Sequence, residues 1–443
     1  AGAFPTNTPI SLVGAHFKST LGALYVDAFR STVTIAGRGI ALALPLGVFT
    51  GLLAGLRPGS LADRLLTTPA ALLAGVPALP AVLAVVCLLS IDLGWASVNA
   101  SVHLALALAS FPWIALAIRN SLASIVQEGT GVHPARAMVA IFGAVLGQAG
   151  NVGLASLAVG VYLVPDDGML RLLELASRMG DPVMLYVLLT PSVLLVASAH
   201  LIGDLFTTFA GGPGAAPRLL SRSWTVLGAI LLATGLSVFA INPPGAANTL
   251  MVALGALLVA GVAGVVLAVA GPLTPSHNLP SLLPPVIIGL AVPVLFARSL
   301  PVQMAAIGLG CATTLALPLR RLLDTVGPER HPAAVAAAGA GLLALAQAVG
   351  AQVTLSIMNI GLPLDLPTLG EVVRTSLLAD PAAQHYLPVV PVLALPAGLF
   401  LLGLALKERA GDEIVTGSLA STPEEQVPVE PEQYQETTQE SAG

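Results

Sequence analysis

The sequence predicts an all-α membrane protein, a polytopic bundle of about eleven transmembrane helices. Three observations predict it. Only 9% of residues are charged and 56% are hydrophobic, with a mean hydropathy of +0.89; a soluble surface needs far more charge to cover it. The apolar residues come in runs, and the charges collect between them. Leu42 to Leu56, Leu83 to Ile91 and Trp224 to Thr274 hold no Asp, Glu, Lys or Arg. Many of these runs reach the roughly 20 residues that cross the hydrocarbon.

The spans are expected in the following order. Ser31–Leu56 stops at Arg57. Thr68–Ile91 starts beyond Arg64 and carries Pro77 and Pro80, a pair that suggests a kink. His103–Ile118 stops at Arg119, Ala137–Val164 starts beyond Arg136, and Val183–Phe206 follows Asp181 and Pro182. A second group opens with Trp224–Ile241, after Arg222, and continues with Thr249–Ala270. Leu279–Ala297, with Pro284 and Pro285, stops at Arg298, and Gln303–Leu319 stops at Arg320 and Arg321. Ala333–Met358 follows His331 and Pro332, and Leu387–Leu406 stops at Lys407.

The basic residues orient these spans. Alternate loops hold Arg57 and Arg64; Arg119 and Arg136; Arg218 and Arg222; Arg320, Arg321 and Arg330; and Lys407 and Arg409. The opposite loops hold only Arg171, Arg178, Arg374 and the edge residue Arg298. The positive-inside rule puts the first set in the cytoplasm, with the N-terminus outside. Lys18, Arg30 and Arg38 count against that assignment. No base follows Arg409, whereas Asp412, Glu413, Glu424, Glu425, Glu430, Glu432, Glu436 and Glu440 do, among Pro, Ser, Thr and Gln. Such a tail cannot bury a core and is expected to be disordered and cytoplasmic from about residue 411 onward. The chain opens on Ala1 without a signal-peptide pattern, the expectation for a trimmed or processed start. Cys87 and Cys311 sit in apolar runs without paired spacing and read as small packing residues.

An internal repeat runs through the chain in parallel orientation. Its first copy has Arg119, His133-Pro134, a span with Gln148 and Asn151, and an outer loop with Pro165, Asp167 and Gly168. The second has Arg320, His331-Pro332, a span with Gln347 and Gln352, and an outer loop with Pro363, Asp365 and Gly370. Each outer loop runs into an amphipathic stretch, Met169–Arg178 or Leu369–Leu378, expected to be a short helix along the membrane surface. Parallel repeats imply two similar bundles related by an axis along the membrane normal.

Several of these segments resemble one family. Leu44 to Arg57, followed by Gly59-Ser60-Leu61-Ala62-Asp63-Arg64, resembles the second span and inner loop of oligopeptide/dipeptide/nickel ABC-importer permeases. Gly75-Val76-Pro77-Ala78-Leu79-Pro80 up to Trp95 resembles the next span, and Arg119-Asn120-Ser121-Leu122 the segment that enters the coupling loop. Gly180-Asp181-Pro182 and Leu201-Ile202-Gly203-Asp204-Leu205 are similar to features near the end of such a subunit. Leu355-Ser356 through Pro363, then Pro367 to Glu371, resembles a motif of the partner subunit. The resemblance implies two permease halves, 31–206 and 224–410, fused through a cytoplasmic linker at 207–223, with 1–30 outside and 411–443 as the tail. It also implies a multi-pass plasma-membrane protein that forms a path for a small solute such as a peptide. Its partners would be ATPase subunits inside and an extracytoplasmic substrate-binding protein outside, with the lipid bilayer around it and no nucleic acid.

The chain departs from that family at the coupling loop, where members carry a helix that plugs into the ATPase. Only Asn120–Val132 separate Arg119 from His133, and only Arg321–Arg330 separate Arg320 from His331. The residual coupling-loop candidates are Arg119, Glu128, His133, Arg320, Arg321 and His331, with Gly131 and Gly327 as possible remnants of the Gly ending. The departure leaves a second reading open, a permease-like scaffold or assembly subunit uncoupled from ATP hydrolysis.

No Gly-rich phosphate loop, HExxH or metal-ligand spacing is present, so the sequence points to no enzyme, cofactor or metal. His133 and His331 each precede Pro, which sets a loop boundary more readily than a proton or metal site. His200 and Asp204 are spaced to pair across one helical turn. Gln148, Asn151, Gln347 and Gln352 are the translocation-path candidates, because an amide inside a span must face protein or water. No span centre holds a clear Asp, Glu or Lys, which weakens a third reading, a secondary carrier.

Topology is directly testable. Limited proteolysis should remove the acidic tail from inverted vesicles and leave it intact in right-side-out ones. Cleavage from outside would invert the assignment.

Overall fold

The computed structural model describes residues 21–127, 135–146 except 144, scattered positions between 172 and 206, and 221–270, 299–327, 330–358, 366–378 and 386–420. The described elements are helices: α1 (Leu21–Gly55), α2 (Leu61–Ala74), α3 (Ala78–Val86), α4 (Val98–Gln127), α5 (Ser221–Leu236) and α6 (Val238–Ile241). They continue as α7 (Pro243–Ala270), α8 (Leu300–Asp324), α9 (Arg330–Ile357), α10 (Leu369–Leu378) and α11 (Val389–Ala420). Among the described residues 7 helices are long and apolar enough to cross a membrane, or 8 with the bent α2–α3 pair as one span. The chain is therefore a multi-pass helical membrane protein. The expected spans Leu279–Ala297, Ala137–Val164 and Val183–Phe206 lie wholly or mostly outside the described residues, as do 1–20, Pro284, Pro285, His200, Asp204, most of Met169–Arg178 and of the linker, and 421–443.

Small residues set how the helices approach. On α1, Gly39, Ala43, Gly47, Gly51 and Gly55 recur at every fourth position and form one stripe. The stripe lies along α4. A Cβ on Gly39 would fall 2.9 Å from Leu106, on Gly47 or Gly51 2.8 Å from Ile114 or Ile118, and on Gly55 2.8 Å from Leu122. Both partners advance together, so α1 and α4 are parallel. The same geometry recurs between α7 and α8: Gly255 faces Met304, Gly308 faces Val259 and Gly264 faces Leu315. Here too the helices run parallel, with one stretch of chain between them. Hydrophobic force cannot drive such pairs in lipid, so dispersion across close backbones holds them.

Antiparallel packing closes the rest. Gly228, Leu232 and Gly235 of α5 meet Leu402, Gly398 and Leu395 of α11, and Gly339 of α9 meets Gly403 on another side of α11. α11 is accordingly the most enclosed span, 72% buried over its apolar window, against 22% for α1. Leu254, Leu258, Val262 and Val269 of α7 are exposed, as side chains against lipid tails would be. α6 turns into α7 at Asn242, whose Oδ1 accepts from Gly245 N–H at 3.0 Å and caps α7.

The span expected at Thr68–Ile91 is instead two helices bent by 99°. Gly75-Val76-Pro77 is the break: Pro77 cannot continue the ladder and becomes the N-cap of α3. The second arm ends in a π-helical turn, Cys87–Asp92. His103–Ile118 and Gln303–Leu319 are longer than expected at both ends, because polar residues continue both helices, and of these Ser101, Arg119 and Gln303 lie inside the bundle. α1 begins at Leu21, inside the segment read as an outer tail. α11 runs through Ala420 into the expected disordered tail, since residues 411–420 contain no proline and Pro423 is the first.

The helix directions gather Arg57, Arg64, Arg119, Arg320, Arg321, Arg330, Lys407 and Arg409 at one end of the bundle. The stretch from Arg38 to Arg57 covers about 28 Å at about 1.5 Å per residue, close to the hydrocarbon thickness. Arg38 thus falls near the opposite interface, and both Arg30 and Arg38 are exposed.

The α1 stripe yields a paired test. Nothing lies within 4 Å of a Cβ on Gly37, whereas one on Gly51 meets the Ala115 carbonyl at 2.8 Å. Gly37→Ala should be neutral or stabilising by up to about 1 kcal/mol. Gly51→Ala should destabilise by about 1–3 kcal/mol. Thermal unfolding in detergent reads both, and equal effects would refute the close seam.

Candidate functional site

Two buried polar centres stand out in an otherwise apolar bundle, one at each end. The first is at the basic end. Gly59, at φ +81°, turns the chain after α1, a conformation that favours glycine. Ser60 caps α2, its hydroxyl accepting from Asp63 N–H at 3.2 Å. This places Asp63 in the first turn of α2, facing α4. There Arg119 donates through Nε to Asp63 Oδ1 and through Nη2 to Oδ2, both at 2.9 Å. Thr67 Oγ1 donates to Oδ1 at 2.8 Å, and Gly59 N–H to Oδ2 at 2.9 Å. Arg119 Nη1 donates to Asn120 Oδ1 at 3.1 Å. Both side chains are buried, at 2% and 0% exposure. Two-point pairing plus the extra donors is what a buried ion pair needs to offset its desolvation.

The second centre lies at the other end, between α7, α8, α9 and α10. Gln303 Nε2 faces Gln352 Oε1 at 3.5 Å, and Gln352 Nε2 donates to Ser356 Oγ at 3.1 Å. Gln303 and Gln352 are fully buried. α10 starts immediately beyond them: Thr249 Oγ1 accepts from Leu369 N–H at 3.1 Å, and Asn248 Nδ2 donates to the Pro367 carbonyl at 2.9 Å. Leu369, Val372, Val373 and Leu377 turn inward, while Glu371 and Arg374 pair at 3.8 Å on the outer side. The expected helix at Leu369–Leu378 is present with those bounds. Two further contacts tie this end together. Cys87 Sγ lies 3.8 Å from the Leu377 carbonyl, and Tyr386 hydrogen-bonds Asp92. Burial, and then the Asp92 carboxylate, push the Tyr386 hydroxyl above its usual range.

The sequence candidates distribute as follows. Gln352 belongs to the second centre. Gln347 is half-buried nearer the middle of α9 and accepts from Thr314 Oγ1 at 2.9 Å. Gln148, Asn151, Glu128, Gly131 and His133 lie outside the described residues. Arg119 is inside the bundle, paired with Asp63. Arg320 pairs with the exposed Asp324 at 3.4 Å, and Arg321 and His331 are exposed around the same turn. That turn is short: α8 ends at Asp324, α9 starts at Arg330, and Gly327 sits at φ +82°. Thr325 and Val326 are not helical, and only five residues separate the two helices. Among the described residues no three His, Cys, Asp or Glu side chains gather to hold a metal.

Sequence reasoning missed Asp63 and Gln303. The Ser60-x-x-Asp63 spacing was the available signal for the first, since it marks a capped helix start rather than a loop. The expected span sets Gln303 at its boundary; α8 begins three positions earlier, which carries its amide into the bundle.

Asp63→Ala should destabilise the chain by about 3–5 kcal/mol, because it leaves the Arg119 charge buried without a partner. The double variant Asp63→Leu/Arg119→Leu should recover most of that loss in thermal unfolding. Equal damage from both would show that the pair is not the source of the stability. No family model, curated protein or solved structure matches the chain.

Proposed function

We propose that the chain is a permease-type membrane component of the peptide-class ABC-importer kind, two fused halves whose bundle forms the path for a small solute. One observation supports this reading more than any other. Each half holds a parallel, glycine-seamed helix pair, α1 with α4 and α7 with α8, and the later helix of each pair carries the repeat arginine, Arg119 or Arg320, at the basic end. Such recurrence is what a duplicated bundle with parallel halves produces. The reading carries the full complement of eleven spans, a plasma-membrane location, a cytoplasmic C-terminus, and ATPase and extracytoplasmic binding-protein partners.

A second reading is favoured by a different observation. An ATPase drives a permease by moving a helix lodged in its groove, and the connection 325–329 is too short to supply one. Arg119, which the resemblance places at the entry to the other loop, is buried against Asp63. On this reading the chain is a permease-like scaffold that assembles with other membrane subunits without coupling to ATP hydrolysis.

Native pull-down separates the two. Copurifying ATPase subunits support the importer reading; other membrane partners in their place overturn it. With ATPase subunits reconstituted, replacing 325–329 by a Gly/Ser linker should leave ATP hydrolysis unchanged, because five residues are too few for a coupling helix. Solute-stimulated hydrolysis that collapses on replacement would show that the short turn does couple.

A further inference from the structure

The second polar centre is incomplete as it stands. Gln303 Oε1 is buried without a hydrogen-bond partner, and its side chain has no exposure at all. Its amide nitrogen reaches Gln352 only at 3.5 Å, the outer limit of a hydrogen bond. With both amides turned end for end, Gln352 Nε2 would meet Gln303 Oε1 and the Ser356 hydroxyl would donate instead of accept, but the Gln303 NH2 would then be the buried group left without a partner. An acceptor left unsatisfied inside a membrane bundle is costly. Replacing such a pair by leucine would remove that cost, so helix glue alone does not explain it.

The surroundings define what could complete it. Gln303, Gln352, Ser356 and Thr249 are all uncharged. The nearest ion pair on α10, Glu371 with Arg374, is turned outward and half-exposed. An anion would find an acceptor facing it, and a cation would lose its hydration without a counter-charge. A neutral group carrying an N–H is suited. An amide fits best, since it offers a donor to Gln303 and an acceptor of its own to the second proton of Gln303 Nε2.

The first turn of α10 lies on the outer end of this row. A Cβ on Gly370 would fall 2.5 Å from Ser356 Cβ and 2.6 Å from the Val353 carbonyl, so the contact is backbone to backbone. The segment is held down by Leu369 N–H on Thr249 and by Asn248 on the Pro367 carbonyl. Beside the buried Leu369, Val373 and Leu377, these two bonds are polar tethers of the segment, single and neutral, with Asn248 and Pro367 partly exposed.

We propose that Gln303, Gln352 and Ser356 form a binding site for one uncharged amide group, roofed by α10, which lifts from Thr249 and Asn248 to admit it. The site holds under either reading above, because it requires no ATPase.

The test uses the full chain in nanodiscs with Cys87→Ala and Cys311→Ala, and Ser356→Cys as the reporter. Methyl methanethiosulfonate, small and uncharged, should label Cys at 356, followed by mass spectrometry. Cutting the tethers with Thr249→Val and Asn248→Ala should speed labelling at least tenfold; entry through lipid would leave the rate unchanged and overturn the roof. Acetamide, the probe ligand, should slow labelling in a concentration-dependent way, and acetate should not. Gln303→Leu should abolish the acetamide protection. As a second measurement with Ser356 intact, acetamide should raise the melting temperature of the native chain more than that of Gln303→Leu. No labelling with the tethers cut, equal protection by acetate, or an acetamide effect indifferent to Gln303→Leu would each overturn the site.

Discussion

Everything in this bundle follows from what lipid withholds. Hydrocarbon gives no hydrophobic reward for bringing two apolar helices together, and it satisfies no polar group. Helices must therefore gain their association from close contact, and polar side chains must find partners among themselves. The first demand explains the glycine seams. Where Gly47 and Gly51 of α1 meet Ile114 and Ile118 of α4, the backbone itself is the contact surface, and any side chain would pry the pair apart. The second demand explains why Asp63 pairs with Arg119, Thr314 with Gln347 and Gln352 with Ser356.

The two polar centres answer that second demand differently. At the basic end the solution is ionic. Asp63 accepts four hydrogen bonds and Arg119 fills its fork, so the pair is satisfied without solvent. This welds the turn after α1 to the side of α4, at the place where α1 and α4 also share their last glycine contact, Gly55 against Leu122. At the other end the solution is amidic and unfinished. Amides lack a net charge, so a missing partner costs less than a missing counter-ion, and the arrangement tolerates an empty valence. A bundle that must stay assembled at one end and admit something at the other would be built with this asymmetry.

The sequence made the membrane class, the basic end, most span positions and the bounds of α10 legible, because each rests on a local property. Charge placement, run length and the amphipathic spacing of Leu369, Val372, Val373 and Leu377 need no knowledge of neighbours. The 99° bend was only half legible. Pro77 announces a break, but its angle depends on Gly75 meeting Ala397 and Phe400 of α11 across the bundle. The pairing of Asp63 with Arg119 was illegible for the same reason: a contact between residues far apart in sequence depends on helix order. Arg119 reads as a loop cation because it ends an apolar run. In fact α4 continues through Gln127 and carries the arginine inside. The stripe on α1 could have been read, since its spacing of four is visible in the sequence; apolar composition concealed it among many other glycines.

The resemblance to importer permeases and the geometry meet at the turn between α8 and α9. A coupling helix works as a lever, and a lever needs length below the membrane. Only five residues join Asp324 to Arg330, too few to supply that length, and Gly327 sits in the left-handed region. Force applied to the exposed Arg321 or His331 would act directly on the ends of α8 and α9. Those helices are joined along their length, by Thr314 with Gln347 near the middle and by Gln303 with Gln352 at the far end. A push at this turn would be shared by both helices as one rigid body, and would reach α10 through α9, against whose Val353 and Ser356 the first turn of α10 is packed. If solute passes through this bundle, α10 responds only if its buried face of Leu369, Val373 and Leu377 separates along with its two neutral hydrogen bonds.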